Sequence, residues 1–206
     1  MSFYEEHVLP HLIGAACGVK PITYQRRLIV PQAEGRVLEV GLGAGPNLAF
    51  YDPSKVELVF GLEPSAGMRR KARKALAASP VKVELIDLPG ENVPLEDDSV
   101  DTVVLTYTLC TIPDWQQALA EMRRVLKPGG RLLFSEHGLA PDAGVSKWQR
   151  RIEPVWKAIA GGCHLTRAMD KMIAEGAFTF DRIETGYLPH SPKFAGFNYW
   201  GSARPR

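Results

Sequence analysis

The chain has 206 residues, 45% of them apolar and 23% charged, with a formal net charge of +2. That length suits one domain with one well-buried core, and the ordinary composition excludes disordered and fibrous classes. The near-neutral balance gives no ground for expecting nucleic acid or an anionic membrane as a partner.

The longest apolar run near the N-terminus, Leu12 to Val19, falls far short of the ~20 residues of a membrane span. It also lacks the basic start and small-residue cleavage site of a secretory signal. Stable membrane insertion is therefore not expected. Cys17, Cys110 and Cys163 are odd in number, widely spaced and without a C-x-x-C pair, so no disulfide framework, zinc cluster or other metal site is indicated. A reducing, cytoplasmic setting fits best.

In chain order, Tyr4, Val8, His11, Leu12 and Ala15 recur at roughly helical spacing, broken by Pro10 and Pro21. Two readings stand equal. The segment either covers one edge of the domain or acts as a lid closing Tyr4, His11 and Tyr24 over a ligand.

Arg36 to Tyr51, RVLEVGLGAGPNLAFY, organises the rest of the chain. Val37, Leu38 and Val40 suit a buried parallel strand. Gly41, Gly43 and Gly45 let the backbone turn off that strand and approach a ligand closely. Asn47 to Tyr51 is expected to open a helix whose free N–H groups face the ligand. Glu39 is expected to point its carboxylate into the site, repelling a pyrophosphate and holding an amino group. Pro46 stands where a dinucleotide fingerprint needs its third glycine.

Val56 to Leu62 is the second strand and delivers Glu63, placed as a carboxylate that grips a ribose diol is normally placed. Ser65 suits an N-cap, followed by a helix with Met68, Ala72, Ala75 and Leu76 on its buried stripe. Its face of Arg69, Arg70, Lys71, Arg73 and Lys74 reads as a solvated face. Val81 to Ile86 is strand three, Val100 to Leu105 strand four, and Thr106 to Ile112 sits at the latter's carboxyl end, where open α/β sheets bind ligands. Asp114 to Gln117 resembles a capping box, Lys127 to Gly130 a helix-stopping turn, and Arg131 to Ser135 a fifth strand that brings Glu136 and His137 to the top of the sheet. Ser146 to Ala160 is helical but interrupted by Pro154. Phe178 to Tyr187 and Phe197 to Ala203 read as a two-stranded hairpin. Trp148, Trp156, Phe178 and Trp200 are aromatic candidates for a pocket, with Phe178 favoured as core and Trp156 as pocket wall.

The glycine turn, Glu63, Gly90-Glu91, Asp101-Thr-Val-Val104 and Lys127-Pro-Gly-Gly130 resemble, in order and spacing, class I S-adenosylmethionine-dependent methyltransferases over roughly residues 30–137. Leu109-Cys-Thr111, Glu136-His137 and Gly161-Gly-Cys-His-Leu-Thr-Arg167 narrow the resemblance to the methyltransferase-like family that includes alkyl-thiol S-methyltransferases. It implies an α/β, Rossmann-like fold with a mostly parallel seven-stranded sheet, an antiparallel C-terminal hairpin and helices on both faces. It further implies one domain: an N-terminal lid (1–34), a cofactor core (35–137), a helical acceptor-side segment (138–176) and the hairpin (177–206). The apolar anchor of membrane-associated members is not found here, so membrane association is not expected to carry over.

The implied cofactor is S-adenosyl-L-methionine, leaving as S-adenosyl-L-homocysteine. Glu39, Gly41, Gly43, Gly45, Asn47, Glu63, Pro64, Met68 and Thr106 are its expected contacts, with adenine at Gly90, Glu91 or Asn92. The acceptor is a small molecule, a thiol favoured over an amine, a lipid head group or a hydroxyl, with Tyr4, His11, Trp156 and Cys163 on its side. An acceptor thiol attacks as thiolate, so a base is useful. His137 is the first candidate, His164 the second and His11 the third; a structural histidine is the competing reading of each. An oxidoreductase and a cofactor-binding regulatory domain are the alternatives from other classes, and the oligomeric state stays open.

Overall fold

A computed structural model describes residues 9–206. Two short helices come first, α1 (Leu9–Cys17) and α2 (Lys20–Ile29). Pro10 and Pro21 start these helices rather than break one, because a proline in the first turn removes an N–H that has no partner there anyway.

The sheet strands are β1 (Gly35–Val40), β2 (Val56–Leu62), β3 (Val83–Ile86), β4 (Val100–Thr106), β5 (Leu126–His137), β6 (Phe178–Tyr187) and β7 (Phe197–Pro205). Their spatial order is β3-β2-β1-β4-β5-β7-β6. The first five strands pair in parallel, and β7 lies antiparallel between β5 and β6. Strand order reverses between β1 and β4, so the crevice at their carboxyl ends is the natural ligand position. The expected seven-stranded α/β sheet with its antiparallel hairpin is the observed fold.

Alternation along the strands builds a core on each face of the sheet. Leu38, Val40, Val103, Leu105, Leu132 and Phe134 face one way, against α4 (Trp115–Val125) and α6 (Met169–Glu175). Val37, Val59, Val104 and Leu133 face the other, against α2 and α3 (Ala66–Ala77). The caps are as the sequence indicates: Ser65 Oγ accepts the Met68 N–H, and Asp114 accepts the Gln117 N–H at 3.0 Å.

Three local expectations are corrected. Asn47 to Tyr51 forms only a 3₁₀ turn over Leu48–Phe50. Asn47 and Tyr51 are drawn to Glu39, Tyr51 is already extended, and Pro53 disfavours a helical conformation at Asp52. Lys127 to Gly130 belongs to β5, as an irregular start whose register shifts opposite Val100 and Thr102. Finally α5 (Ala143–Ile159) runs through Pro154, since packing of Val145 and Trp156 on the core outweighs one lost hydrogen bond. The remaining helix, α7 (Lys193–Gly196), is a single turn in the hairpin loop. No helix among the described residues is long and apolar enough to cross a membrane.

Candidate functional site

Gly41 and Gly43 follow β1 with φ of +75° and +60°, a region that side chains with a Cβ enter only with strain. The N–H groups of Gly41 and Leu42 donate to Leu62 O, fastening the turn to the end of β2. Glu63 then clamps it from the other side. Its Oε2 accepts the Gly43 N–H and its Oε1 the Ser65 N–H, both at 2.8 Å. Burial pushes the Glu63 carboxyl up, while these two donors and Arg69 hold it back. A cavity of about 240 Å³ lies against this turn, and Gly41, Gly43, Glu63, Met68, Thr106 and Arg26 are among its walls.

Behind the cavity sits a buried polar network. Arg26 Nη1 donates to Asn47 Oδ1 at 2.7 Å and Thr106 Oγ1 at 2.6 Å. Asn47 Nδ2 donates to Glu39 Oε1 at 2.9 Å, and the Tyr51 hydroxyl to Glu39 Oε2 at 2.8 Å. Glu39 is 1% exposed and does not line the cavity, which corrects the expectation that it points at a ligand. Burial raises its carboxyl to about 7, against the Tyr51 hydrogen bond and the Arg26 charge. Arg26 is the residue that sequence reasoning missed. Nothing in the pair Arg26-Arg27 separates the buried guanidinium from its neighbour, which is exposed and stacks on Phe50.

A second cavity, of about 350 Å³, opens beside the first. Ile13, Cys17, Tyr107 and Thr111 line both, so they form the partition between them. Tyr107 holds a φ of 55°, uncommon for a bulky residue, at the carboxyl end of β4. Its hydroxyl donates to Asn198 Oδ1 on β7 at 2.8 Å, and the Arg26 guanidinium lies 5.2 Å from its ring centre.

The walls of the second cavity are mostly apolar, with Ile22, Trp156, Leu188 and Phe194 among them, and its polar corner is Cys110, His137 and Cys163. His137 Nε2 is 3.2 Å from Cys163 Sγ, which is 3.7 Å from Cys110 Sγ. The segment after α5 is fastened to the loop after β4 by the main chain, His164 N–H donating to Cys110 O at 2.9 Å. Arg167 donates to Leu109 O and Ile112 O, and Glu136 Oε1 accepts from the Thr108 and Leu109 N–H groups. The contact with Cys110, then the His137 imidazole, hold Cys163 well below the ordinary thiol range despite burial. Burial pulls the His137 imidazole down, but the sulfur beside it outweighs this and leaves it raised. The wide spacing of these cysteines gives no hint of the cluster; only the fold assembles it.

Other expected positions lie elsewhere. His164 turns away from both cavities to Glu153 Oε1 at 3.2 Å, which corrects its place as a candidate base. His11 and Tyr24 are exposed and line neither cavity; α1 closes the cofactor side through Leu9, Pro10 and Ile13 instead. Tyr4 lies outside the described residues. Gly45, Asn47, Pro64, Gly90, Glu91 and Asn92 do not line the first cavity. Gly45 packs against α3, where a Cβ would come 2.9 Å from that of Ala75. Gly90 packs likewise on Val40, and Glu91 accepts the Asp114 N–H. Among the aromatics, Trp156 lines the second cavity, Phe178 is fully buried core, Trp148 is 52% exposed, and Trp200 packs on the α2 face of the sheet.

The donor set suits the cofactor that the sequence resemblance implies. One carboxylate, Glu63, can accept from ribose hydroxyls. One buried guanidinium, Arg26, lines the same cavity, and its charge suits a ligand carboxylate.

Comparison with known proteins agrees. Residues 38–134 match the family model described as "Methyltransferase domain". The chain is 38% identical over 173 residues to the Rattus norvegicus "Thiol S-methyltransferase TMT1B", covering 79% of this chain and 70% of the relative. It is 31% identical over 170 residues to a "Phosphatidylethanolamine N-methyltransferase" of Cereibacter sphaeroides, covering 73% and 80%. Among solved structures, a "SAM-dependent methyltransferase, possible histamine N-methyltransferase" from Thermotoga maritima superposes with a TM-score of 0.67 at 22% identity, covering 98% of each chain.

Proposed function

We infer from one premise, that the chain belongs to the class I S-adenosylmethionine-dependent methyltransferases, that its acceptor is a small apolar thiol methylated on sulfur. The observation that carries this reading is the second cavity: apolar walls, a sulfur-and-imidazole corner, and a partition shared with the glycine-turn cavity.

When bound, S-adenosylmethionine supplies an electrophilic methyl group on a sulfonium. Glu63 and the Gly41–Gly43 turn would hold its ribose, and Arg26 its carboxylate, since all of them line one cavity. The chain's own task is alignment and exclusion of water, which together give much of the acceleration in such a displacement. Ile13 and α5, through Trp156, dry the acceptor side. On this reading the described part of the 1–34 segment, from residue 9 on, and the 138–176 segment act as covers on the 35–137 core. His137 with Cys163 forms one unit that removes the acceptor proton, and of the three candidate histidines it is the one that lines this cavity. A cytoplasmic setting suits free cysteines held this close.

The test is methyl transfer from labelled S-adenosylmethionine to a panel of small thiols, amines and phenols. Turnover on thiols that falls in His137→Ala supports the reading. Turnover confined to amines would discard it in favour of N-methylation, the reading favoured by the likeness to the N-methyltransferase named above.

A further inference from the structure

Cys110, His137 and Cys163 reach one point from three separate stretches: the loop after β4, the end of β5 and the turn after α5. Their Sγ, Nε2 and Sγ atoms all lie within 4.8 Å of one another. The two edges through Cys163 are 3.7 Å between sulfurs and 3.2 Å from sulfur to nitrogen. A tetrahedral ion with metal–sulfur bonds of about 2.3 Å and a metal–nitrogen bond of about 2.0 Å has edges of about 3.8 and 3.5 Å. Two edges of the cluster are therefore close to those of one face of such a tetrahedron before any ion is placed, and the third is under 4.8 Å.

The chemistry agrees with the geometry. Two thiolates and one imidazole are a soft donor set, which among the common biological ions selects zinc over magnesium or calcium. His137 Nδ1 has no protein partner, so nothing forces its proton onto Nε2 and the Nε2 lone pair can face the sulfurs. Among the described residues no fourth His, Cys, Asp or Glu completes the cluster. Three protein ligands with the remaining vertex on a cavity is the pattern of a reactive zinc site rather than a closed structural one. All three residues line the apolar acceptor cavity, so the open vertex has a place for a ligand.

We propose that Cys110, His137 and Cys163 form a three-ligand Zn²⁺ site whose fourth position takes the sulfur of the acceptor thiol. The proposal rests on the thiol reading above only for the identity of that fourth ligand. Binding of the ion displaces to solvent the Cys110 thiol proton and the proton that Cys163 and His137 share. With the ion bound His137 is a ligand and no longer a base, and the proton-removing role of His137 with Cys163 is that of the metal-free site. An acceptor thiol entering the fourth position therefore loses its proton to solvent. Its S–H bond breaks with the electron pair kept on sulfur, a sulfur–zinc bond forms from that pair, and nothing is oxidised or reduced.

The experiment uses the full chain, reduced and stripped with a chelator, titrated with Co²⁺ alone and followed by optical absorption. Expected are one equivalent per chain, the strong visible bands of tetrahedral cobalt and a sulfur-to-cobalt charge-transfer band, all abolished by competing Zn²⁺. Cys110→Ser and Cys163→Ala should each weaken binding by more than about 100-fold, since loss of a ligand exceeds loss of a supporting partner; Cys17→Ala should keep one equivalent. Added 1-propanethiol should shift the charge-transfer band. Absence of the tetrahedral signal in folded protein, or its persistence in both cysteine variants, overturns the site. A saturated spectrum indifferent to propanethiol overturns the open position. Should the variants not fold, protection of Cys163 from alkylation by Zn²⁺ in the unaltered chain reads the same point, and equal alkylation rates overturn it. Cobalt binding without turnover on any thiol upholds the metal site and discards the acceptor assignment alone.

Discussion

The Glu63 carboxylate accepts the backbone N–H of Gly43 at 2.8 Å, so the acid at the end of β2 and the glycine turn at the end of β1 are one unit. Glu63→Ala removes both this clamp and an acceptor facing the cavity. Cofactor affinity should fall by about 1–3 kcal/mol, read by calorimetric titration of S-adenosylhomocysteine. Unchanged affinity would detach Glu63 from the ribose.

The two glycines of the turn that line the cavity, Gly41 and Gly43, should respond unequally to alanine. At Gly43 a Cβ would stand 3.4 Å from the flexible end of Met68, leaving only the cost of the left-handed conformation, about 1–2 kcal/mol. At Gly41 it would also collide with the Thr108 side chain. Gly41→Ala should therefore lower urea stability more than Gly43→Ala does. The larger Gly43→Val should abolish cofactor binding, and a normal isotherm for it would place the turn away from the ligand.

Glu39 makes stability depend on pH. Burial raises its carboxyl from 4.5 unfolded to about 7 folded, so the folded chain holds the proton more tightly. Its contribution is fully present below about pH 4.5 and is lost as pH rises through 7. Glu136, raised to about 7 mainly by burial, acts in the same direction. Unfolding free energy should thus fall between pH 5 and 8, and Glu39→Gln should flatten that decline by about 1–3 kcal/mol. A variant with the same slope as the parent would remove Glu39 as its source.

The two neighbouring histidines of the acceptor side should separate in kinetics. His137→Ala should lower kcat on thiols by about 100-fold with cofactor affinity unchanged, because His137 lines only the second cavity. His164→Ala should leave turnover unchanged, since that ring faces Glu153. Equal losses in both would mean that the segment matters as a scaffold rather than through His137.

Local pattern is what the sequence makes legible. The strand and glycine turn of β1, Glu63 at the end of β2 and the caps of α3 and α4 each depend on residues a few positions apart, and each stands in the fold where that pattern puts it. The remainder depends on long-range meetings. Arg26 reaches Thr106 across 80 positions, and Cys163 meets Cys110 across 53. Glu39 lies on its expected strand, but alternation alone does not tell a side chain that faces a ligand from one enclosed by Asn47 and Tyr51. The polar residues of the N-terminal segment suggest a lid, whereas its apolar stripe is what meets the cavity, as burial favours.

Tyr107 stands between the two cavities, with Arg26 from α2 over its ring and Asn198 from β7 on its hydroxyl. These two tethers come from opposite ends of the fold, one ahead of the first strand and one on the last. During synthesis the glycine turn and Glu63 emerge early and can close on each other at once. The wall that divides one chamber from two is fixed only when Asn198 has left the ribosome. A chain without Asn198 thus lacks one of the two tethers that hold this wall.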